Sequence, residues 1–273
     1  MTQRNATRVA RADRAYIRGV TFIVSADAYS RFMGRFSEPL AVRFVEAVGV
    51  RSGQRALDVG CGPGVLTEEL VKRLGENNVS AIDPSAPFLA AVRDRFPGVD
   101  VRSGEAEALP FPDDSFDLTL AQLVVHFMSD PVTGLSEMGR VTRDDGVVAA
   151  SVWDMAGGGS PLSTFWRAVR DIDPEALDES GRPGTRQGHL AELCRAAGLQ
   201  DIEPMSLTVN VRFPTFADWW EPYTLDVGPA GSYVTGLDDA AREALRARCE
   251  SLLPPEPFEV AASAWCVRAR SGP

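Results

Sequence analysis

The sequence predicts an α/β protein with a mainly parallel sheet and helices in the crossover connections. From residue 37 onwards, short apolar runs alternate with longer amphipathic stretches. Glycines or prolines end many of these segments, and a glycine-rich loop follows the first apolar run. Because parallel strands need long crossovers, usually helices, this alternation favours a parallel sheet.

The individual elements follow in chain order. Ser37 can cap a first helix whose apolar residues recur at helical spacing, and Ser85 can cap a later one. Gly75 and Gly198 are suitable helix stops, and Pro97 follows another helix. The predicted strands are 55–59, 79–82, 99–102, 116–121, 146–153, 202–211 and 258–267, and the other predicted helices include 66–74, 131–141, 190–197 and 239–253.

Two stretches interrupt this regular pattern. Residues 154–188 open with a Gly-Gly-Gly-Ser-Pro break and have little strand character, and residues 212–257 contain Trp219 and Trp220. We therefore predict an N-terminal arm, 1–36, and a domain, 37–273, that carries helical lid insertions near 154–188 and 212–257.

Composition excludes several classes of protein. The 273 residues are 44% hydrophobic and 24% charged, with a net charge of -10, which is typical of a globular chain and disfavours nucleic-acid binding. Four widely spaced cysteines predict neither a zinc site nor a disulfide framework, and a cytoplasmic location is the simplest expectation. The early apolar stretch 20–24 is too short for a membrane span, so no membrane association is expected. Five arginines within residues 1–24 form either a basic arm for an anionic partner or a solvated tail.

The loop Gly60-Cys61-Gly62-Pro63-Gly64 carries the strongest functional signal. It follows a predicted strand and opens a helix, and Asp83 ends the next strand, where a carboxylate can accept hydrogen bonds from both ribose hydroxyls of a nucleoside. A dinucleotide site would need glycine where Val65 stands. Asp58, just before the loop, would repel a pyrophosphate and suits an ammonium or sulfonium group. The pattern predicts a nucleoside cofactor with a cationic end.

These residues resemble the class I S-adenosylmethionine-dependent methyltransferases, in the small-molecule branch of the ubiquinone and menaquinone biosynthesis enzymes. Residues 57–64 are similar to the first motif of the family, and Asp83 to its ribose-binding acid. Residues 104–117 resemble the next signature, with Glu105 where the family usually has Asp, and residues 137–146 resemble the segment before the fifth strand. The resemblance is specific from about residue 55 to 152.

The resemblance implies a Rossmann-like seven-stranded mixed sheet of order 3-2-1-4-5-7-6, with the last strand antiparallel. It implies S-adenosylmethionine as cofactor, S-adenosylhomocysteine as product, and a small-molecule acceptor. It also makes residues 1–36 partly a cofactor-covering segment. The cofactor-binding residues expected on this basis, together with the residues of the loop, are Tyr29, Arg35, Asp58, Gly60, Cys61, Gly62, Gly64, Asp83, Pro84, Ser85, Glu105, Ala106, Gln122 and Leu123.

Several of these residues have specific expected roles. Asp83 should bind ribose between Pro84 and Ser85, Glu105 and Ala106 should bracket adenine, and Gln122 and Leu123 should face the methionine end. Arg35 either pairs with the methionine carboxylate or stands on the surface near Glu38. Cys61 is either a reactive thiol or, as we favour, a small buried side chain.

His126 is the candidate catalytic residue because it lies just past the fourth strand, at the edge where ligands bind in α/β sheets. It acts either as a general base or substrate-orienting group, or as a buried histidine bonded to backbone. The aromatic residues of the insertions suit a lid, and Glu221 and Asp226 are candidate acids there. No metal site is predicted.

The sequence therefore predicts methyl transfer to an O, N or C atom of a small molecule by metal-free in-line displacement. Two alternatives stay open: a methyltransferase for RNA or protein, and a cofactor-binding subunit without catalysis. The segment after the fourth strand, Ala121-Gln122-Leu123-Val124, lacks the Asn/Asp-Pro-Pro-aromatic motif of adenine amino methyltransferases. The acidic charge further disfavours a nucleic-acid substrate.

Overall fold

A computed structural model describes residues 26–272. Seven strands form one sheet of order β3-β2-β1-β4-β5-β7-β6, in which β7 is antiparallel to both of its neighbours. The predicted order and the antiparallel last strand are confirmed. The strands are β1 (Ala56–Val59), β2 (Val79–Asp83), β3 (Asp100–Ser103), β4 (Phe116–Gln122), β5 (Thr142–Trp153), β6 (Gln200–Phe213) and β7 (Phe258–Arg270).

The central strands are apolar because both of their faces are covered. Every residue of β1 and β2 is buried, as expected for parallel strands with helices on both sides. The helices of the domain are α1 (Ala26–Tyr29), α2 (Arg35–Val48), α3 (Val65–Leu74), α4 (Ala86–Arg95), α5 (Pro131–Val141), α6 (Ser163–Ile172), α7 (His189–Ala196), α8 (Phe216–Trp220), α9 (Gly228–Thr235) and α10 (Asp239–Leu252).

The expected helix cap at Ser37 is wrong. A π-helical turn, Ser30–Gly34, joins α1 directly to α2, and Ser37 is a buried residue inside α2. Helical backbone therefore runs from residue 26 to 48, and the boundary proposed between residues 36 and 37 falls within it. The helix ends at Gly49, whose φ of 80° suits a glycine after a helix. The arginine-rich stretch 1–24 lies outside the described residues.

Ser85 does occupy the N-cap position of α4, but its side chain makes no capping hydrogen bond. Its backbone N–H instead donates to the carboxylate of Asp83, at 2.8 Å. Strand β5 begins at Thr142, four residues earlier than predicted, because Phe116 of β4 pairs with Thr142 before a bulge. The polar run Arg143-Asp144-Asp145 hides this pairing from a hydropathy pattern.

The two insertions are mainly helical and contact each other. Helix α6 from the first insertion packs on α10 from the second, and the Arg248 guanidinium lies 2.6 Å from the Asp171 carboxylate across this contact. The aromatic residues Phe165 and Tyr223 stack between the insertions, with ring centroids 4.6 Å apart. Within the described part of the chain, no helix is long and apolar enough to cross a bilayer.

Candidate functional site

The glycines of the loop between β1 and α3 serve different purposes. All three adopt positive φ: 68° at Gly60, 52° at Gly62 and 92° at Gly64. A Cβ on Gly60 would lie 2.5 Å from a methyl group of Val124, and a Cβ on Gly64 would lie 3.1 Å from Val92. Only Gly62 faces space, with no atom within 4 Å of the position of its missing Cβ. Gly62 is therefore the glycine whose backbone a ligand can approach.

Asp83 fixes this open glycine. One carboxylate oxygen accepts from the Gly62 N–H at 2.9 Å, and the other accepts from the Ser85 N–H at 2.8 Å. The carboxyl group is largely buried, which raises its pKa, while the two backbone hydrogen bonds act in the opposite direction. Because each carboxylate oxygen has more than one acceptor site, the arrangement leaves acceptor capacity for two hydroxyl groups.

Asp58 does not face a ligand directly. It is 1% exposed, and it accepts a hydrogen bond of 2.6 Å from the Thr67 hydroxyl on α3. Burial, with a smaller contribution from the charge of Asp83, raises its pKa to about 7 against the Thr67 hydrogen bond. The expected role of Asp58 as a partner for a cationic group is therefore corrected: this carboxyl joins the strand to the helix beneath the loop.

Cys61 is a buried side chain whose sulfur lies 3.6 Å from the carbonyl oxygen of Gly62. Burial raises the pKa of its thiol well above the usual value, and the nearby Asp58 charge adds to this effect. A thiol in this setting is not activated for nucleophilic attack. The structure thus agrees with a small buried side chain and not with a reactive cysteine.

The residues expected around a nucleoside occupy the rim beyond Asp83. Pro84 is exposed, and the backbone N–H of Gly104 donates to the Asp83 carbonyl at 3.3 Å. This bond places Glu105, which is exposed, and Ala106, which is buried, next to the end of β2. These positions are compatible with the predicted adenine contacts, which stay a prediction.

The end of β4 is polar and strained. The Gln122 amide donates to the Ser37 carbonyl at 3.0 Å, while its Oε1 is buried without a hydrogen-bond partner. Leu123 has a φ of 62°, which is rare for a branched side chain. Strained backbone of this kind concentrates at functional sites. The expected contacts of both residues with the methionine end of the cofactor stay a prediction.

Arg35 contacts residues from the end of β6 onwards. Its guanidinium stands over the Phe213 ring at 5.5 Å and donates to the Asp218 carbonyl at 3.4 Å. Phe213 ends β6 at one edge of the sheet, so Arg35 contacts the second insertion. Arg35 is exposed, as the surface interpretation expected, and its pairing with a methionine carboxylate stays a prediction.

Tyr29 connects the loop region with a cavity. Burial and the nearby Asp83 charge raise the pKa of its hydroxyl to about 12, and its ring lies edge-on to Phe88 at 5.5 Å. Tyr29 also lines the cavity that we call the inner chamber. The chamber is mostly apolar and has about 470 Å³ of empty space, part of it open to solvent; its walls include Phe32, Met33, Leu123, Phe127, Trp153 and Leu162.

His126 lines this chamber and is 4% exposed. It is buried, as one interpretation expected, but its Nδ1 has no hydrogen-bond partner among the described residues. Burial and the charge of Arg182 lower its pKa to about 3. The imidazole is therefore neutral at neutral pH and is a weak proton acceptor, which disfavours the predicted role as general base. A hydrogen-bonding role in orienting an acceptor remains.

Glu179 is the titratable residue of the chamber that sequence reasoning missed. It is 4% exposed, and its Oε2 has no hydrogen-bond partner within the described part of the chain. Burial raises its pKa to about 7, and the charge of Arg182 opposes the rise. No periodicity marks Glu179, because it lies in the irregular part of the first insertion.

Glu221 and Asp226, the two candidate acids of the lid, do not line the inner chamber. Asp226 accepts hydrogen bonds from the hydroxyls of Ser232 and Thr235, and Glu221 is exposed. Trp219 and Trp220 are buried against Tyr223, so they form the core of the lid and not the wall of the chamber.

The site fits a ligand with vicinal hydroxyl groups and a further hydrogen-bond donor. Gly62 offers an open backbone cradle, Asp83 offers two oriented carboxylate oxygens, and Gln122 offers a buried oxygen without a partner. The inner chamber begins at Leu123, directly after Gln122. A ligand held on the loop therefore has an apolar compartment beside its far end.

Comparison with known proteins agrees with this site. Residues 57–150 match the family described as a methyltransferase domain. The demethylmenaquinone methyltransferase of Beutenbergia cavernae is 34% identical over 180 residues, which cover 61% of this chain and 74% of that protein. The malonyl-[acyl-carrier protein] O-methyltransferase of Erwinia billingiae is 38% identical over 138 residues, covering 48% of this chain and 54% of that protein.

A solved structure shows the same fold. Phosphoethanolamine N-methyltransferase 2 of Haemonchus contortus, in complex with S-adenosyl-L-methionine, superposes with a TM-score of 0.54 at 18% identity, covering 92% of this chain and 61% of that chain. The chain spans 54% and 65% of the lengths of two of the curated relatives it matches. With the sheet order, the glycine loop and the Beutenbergia relative taken together, the chain belongs to the class I S-adenosylmethionine-dependent methyltransferases.

Proposed function

We propose that the chain binds S-adenosylmethionine and transfers its methyl group to a small molecule held in the inner chamber. The carrying observation is that the chamber and the nucleoside site share a wall. Tyr29 lines the chamber and is close enough to Asp83 for that carboxylate to raise its pKa. Leu123 lines the chamber directly after Gln122.

The cofactor supplies a methyl group already activated on a sulfonium, open to in-line attack by an acceptor lone pair. Asp83 would hold the ribose hydroxyls, the Gly62 backbone would let the ligand approach, and Glu105 and Ala106 would lie beside the adenine. The Oε1 of Gln122 would accept from the ammonium group. Asp83 and Gly62 are held by their mutual hydrogen bond, and Gln122 by its hydrogen bond to Ser37, before any ligand binds. Such preorganisation lowers the entropy cost of reaching attack geometry.

The acceptor would bind among Phe32, Phe127 and Trp153, which favours a flat or largely apolar molecule. The curated relatives are named for a quinone and for a carrier-bound malonyl group. Apolar walls also exclude water, which protects the sulfonium from hydrolysis.

Two measurements test the proposal. Calorimetry should show that S-adenosylhomocysteine binds the purified chain, and replacement of Asp83 should weaken that binding. Cell extract incubated with the enzyme and methyl-labelled cofactor should then yield at least one labelled small molecule by mass spectrometry. A chain that does not bind S-adenosylhomocysteine, or that labels only protein or RNA, would contradict the proposal.

A further inference from the structure

Glu179 lies where two cavities meet. It lines the inner chamber, and it also lines a second cavity with more polar groups in its wall, which we call the outer cavity. Only Met155 among the other described residues lines both. The outer cavity carries hydroxyls and charged groups, among them Ser160, Ser163, Thr164, Arg167 and Ser180. Glu179 thus borders a mostly apolar chamber and a cavity that carries hydroxyl and charged groups.

Arg182 is a basic residue that lies next to Glu179. The guanidinium Nε lies 4.0 Å from Oε1 of Glu179, and an Nη of the same group donates to the His126 carbonyl at 3.4 Å. Arg182 also stands over the Phe127 ring at 5.1 Å. One carboxylate oxygen is therefore near a charge, whereas Oε2 is buried without a hydrogen-bond partner in the described chain. An unpaired buried oxygen costs free energy unless a ligand completes it.

We propose that Oε2 of Glu179 takes the proton that the acceptor loses on methylation, and that the acceptor is a small molecule whose attacking oxygen or nitrogen carries hydrogen. This rests on the proposed function. The O–H or N–H bond breaks, its proton goes to the Glu179 carboxylate, and its electron pair stays on the acceptor atom. The attacking atom bonds to the methyl carbon while the C–S bond breaks and leaves its electron pair on sulfur.

The electrostatics of the chamber favour Glu179 over His126 for this proton. Burial is the dominant cause of a Glu179 pKa of about 7; the charge of Arg182 and the nearby Trp166 indole lower this pKa, and the charge of Asp178 raises it. The Trp166 Nε1 and the Glu179 Oε2 nevertheless form no hydrogen bond with each other. A group of that pKa accepts and releases protons readily at neutral pH. Burial and Arg182 hold the pKa of His126 at about 3, so a proton on His126 would be strongly disfavoured.

Infrared spectroscopy tests where the proton resides without any turnover. The protein is titrated from pH 5 to 9, alone and with S-adenosylhomocysteine, and the carbonyl band of protonated carboxyl groups is followed. One such band should disappear near pH 7 and be missing from Glu179→Gln. Asp58 should give a second band, which Glu179→Gln retains. If the spectra of wild type and Glu179→Gln match throughout, the proposal is wrong.

Paired acceptor probes test the step itself. The probe 2-naphthol must lose a proton on methylation, whereas N,N-dimethyl-2-naphthylamine has none to lose. Glu179→Gln should lower the labelling of 2-naphthol about 100-fold or more, a typical effect of losing a proton acceptor, and change that of the amine much less. Glu179→Asp should recover part of the activity, and Glu175→Gln, an exposed change in the same segment, should leave both unchanged.

The outcomes separate the two proposals. Equal losses with both probes would mean that Glu179 only shapes the chamber, and would overturn the proton role while leaving methyl transfer intact. If wild type labels neither probe, the infrared titration alone decides the role of Glu179. If S-adenosylhomocysteine does not bind at all, the proposed function fails first.

Discussion

A methyl group of Val124 lies 2.5 Å from the position that a Cβ on residue 60 would occupy. Packing alone therefore requires glycine at position 60, because a Cβ there would meet a side chain that follows β4. The same measurement at Gly62 finds open space. Within one loop, packing constrains one glycine, whereas space is open at the other.

This distinction predicts different effects of two alanine substitutions. Gly60→Ala must displace Val124 and hold alanine at positive φ, with an expected loss of about 3 kcal/mol in unfolding free energy. Gly62→Ala meets no atom and should lose about 1 kcal/mol, yet weaken S-adenosylhomocysteine binding more. Denaturant titration and calorimetry measure both, and Val124→Ala should restore part of the stability of Gly60→Ala. Equal stability losses would contradict the prediction.

Asp83→Ala should weaken binding of S-adenosylmethionine and S-adenosylhomocysteine about ten- to a hundred-fold. A hydrogen bond to a charged group contributes roughly 1.5–3 kcal/mol, and the change also releases Gly62 from its carboxylate partner. Asp94→Ala, an exposed aspartate on α4, is the matched control and should bind normally. Unchanged affinity in Asp83→Ala, measured by calorimetry, would remove Asp83 from the site.

His126→Ala should lower turnover far more than cofactor affinity, because His126 lines the chamber and not the glycine loop. Since its pKa lies near 3, the loss should be the same at pH 6 and pH 8. His126→Asn, which keeps a hydrogen-bonding group, should retain more activity than alanine. Normal turnover in His126→Ala, assayed with labelled cofactor, would reduce the residue to a packing role.

Asp58 predicts how stability depends on pH. Its folded pKa of about 7 lies above the ordinary value of 3.8, so the folded state holds the proton more tightly and this contribution falls as pH rises between those values. Asp58→Asn has no such dependence. The unfolding free energy of the variant relative to wild type should therefore rise by about 3 kcal/mol from pH 5 to pH 8. Asp94→Asn should run parallel to wild type in the same denaturant titrations.

Methyl transfer should be independent of divalent metal. In-line displacement on a sulfonium needs no Lewis acid, because its carbon is already activated. Activity assayed with labelled cofactor should be unchanged by EDTA and by added magnesium. Activity that EDTA abolishes and magnesium restores would contradict this prediction.

Most of the sheet could be predicted from sequence because its strands are buried on both sides. The apolar run at 55–59 became Ala56–Val59, and that at 79–82 became Val79–Asp83. The strand order came from the resemblance and not from periodicity, since a hydropathy pattern does not say which strands are neighbours. The helix cap predicted at Ser37 was wrong because a serine before apolar residues has the same local sequence whether it caps a helix or lies inside one.

The chamber was less predictable than the cofactor loop. The loop signals itself through local sequence, because glycine spacing and one acid determine the turn. Glu179 and Arg182 meet His126 only through the folding of the first insertion, with no regular spacing between them. Arg35 was predicted near the methionine carboxylate because an arginine in that segment suits an anionic group. Its guanidinium lies over the Phe213 ring.

The glycine loop region and much of the chamber wall come from different segments of the chain. The matched family region, 57–150, contains the glycine loop, Asp83 and the end of β4. Trp153, Met155, Leu162 and Glu179, together with residues 227–230, lie beyond it and form much of the chamber wall. Under the proposed function, substitutions in the later segment can therefore change which molecule is methylated. The cofactor site within residues 57–150 need not change. Sequence similarity over residues 57–150 is therefore informative about the methyl donor. The residues that would select the methyl acceptor lie in the later segment.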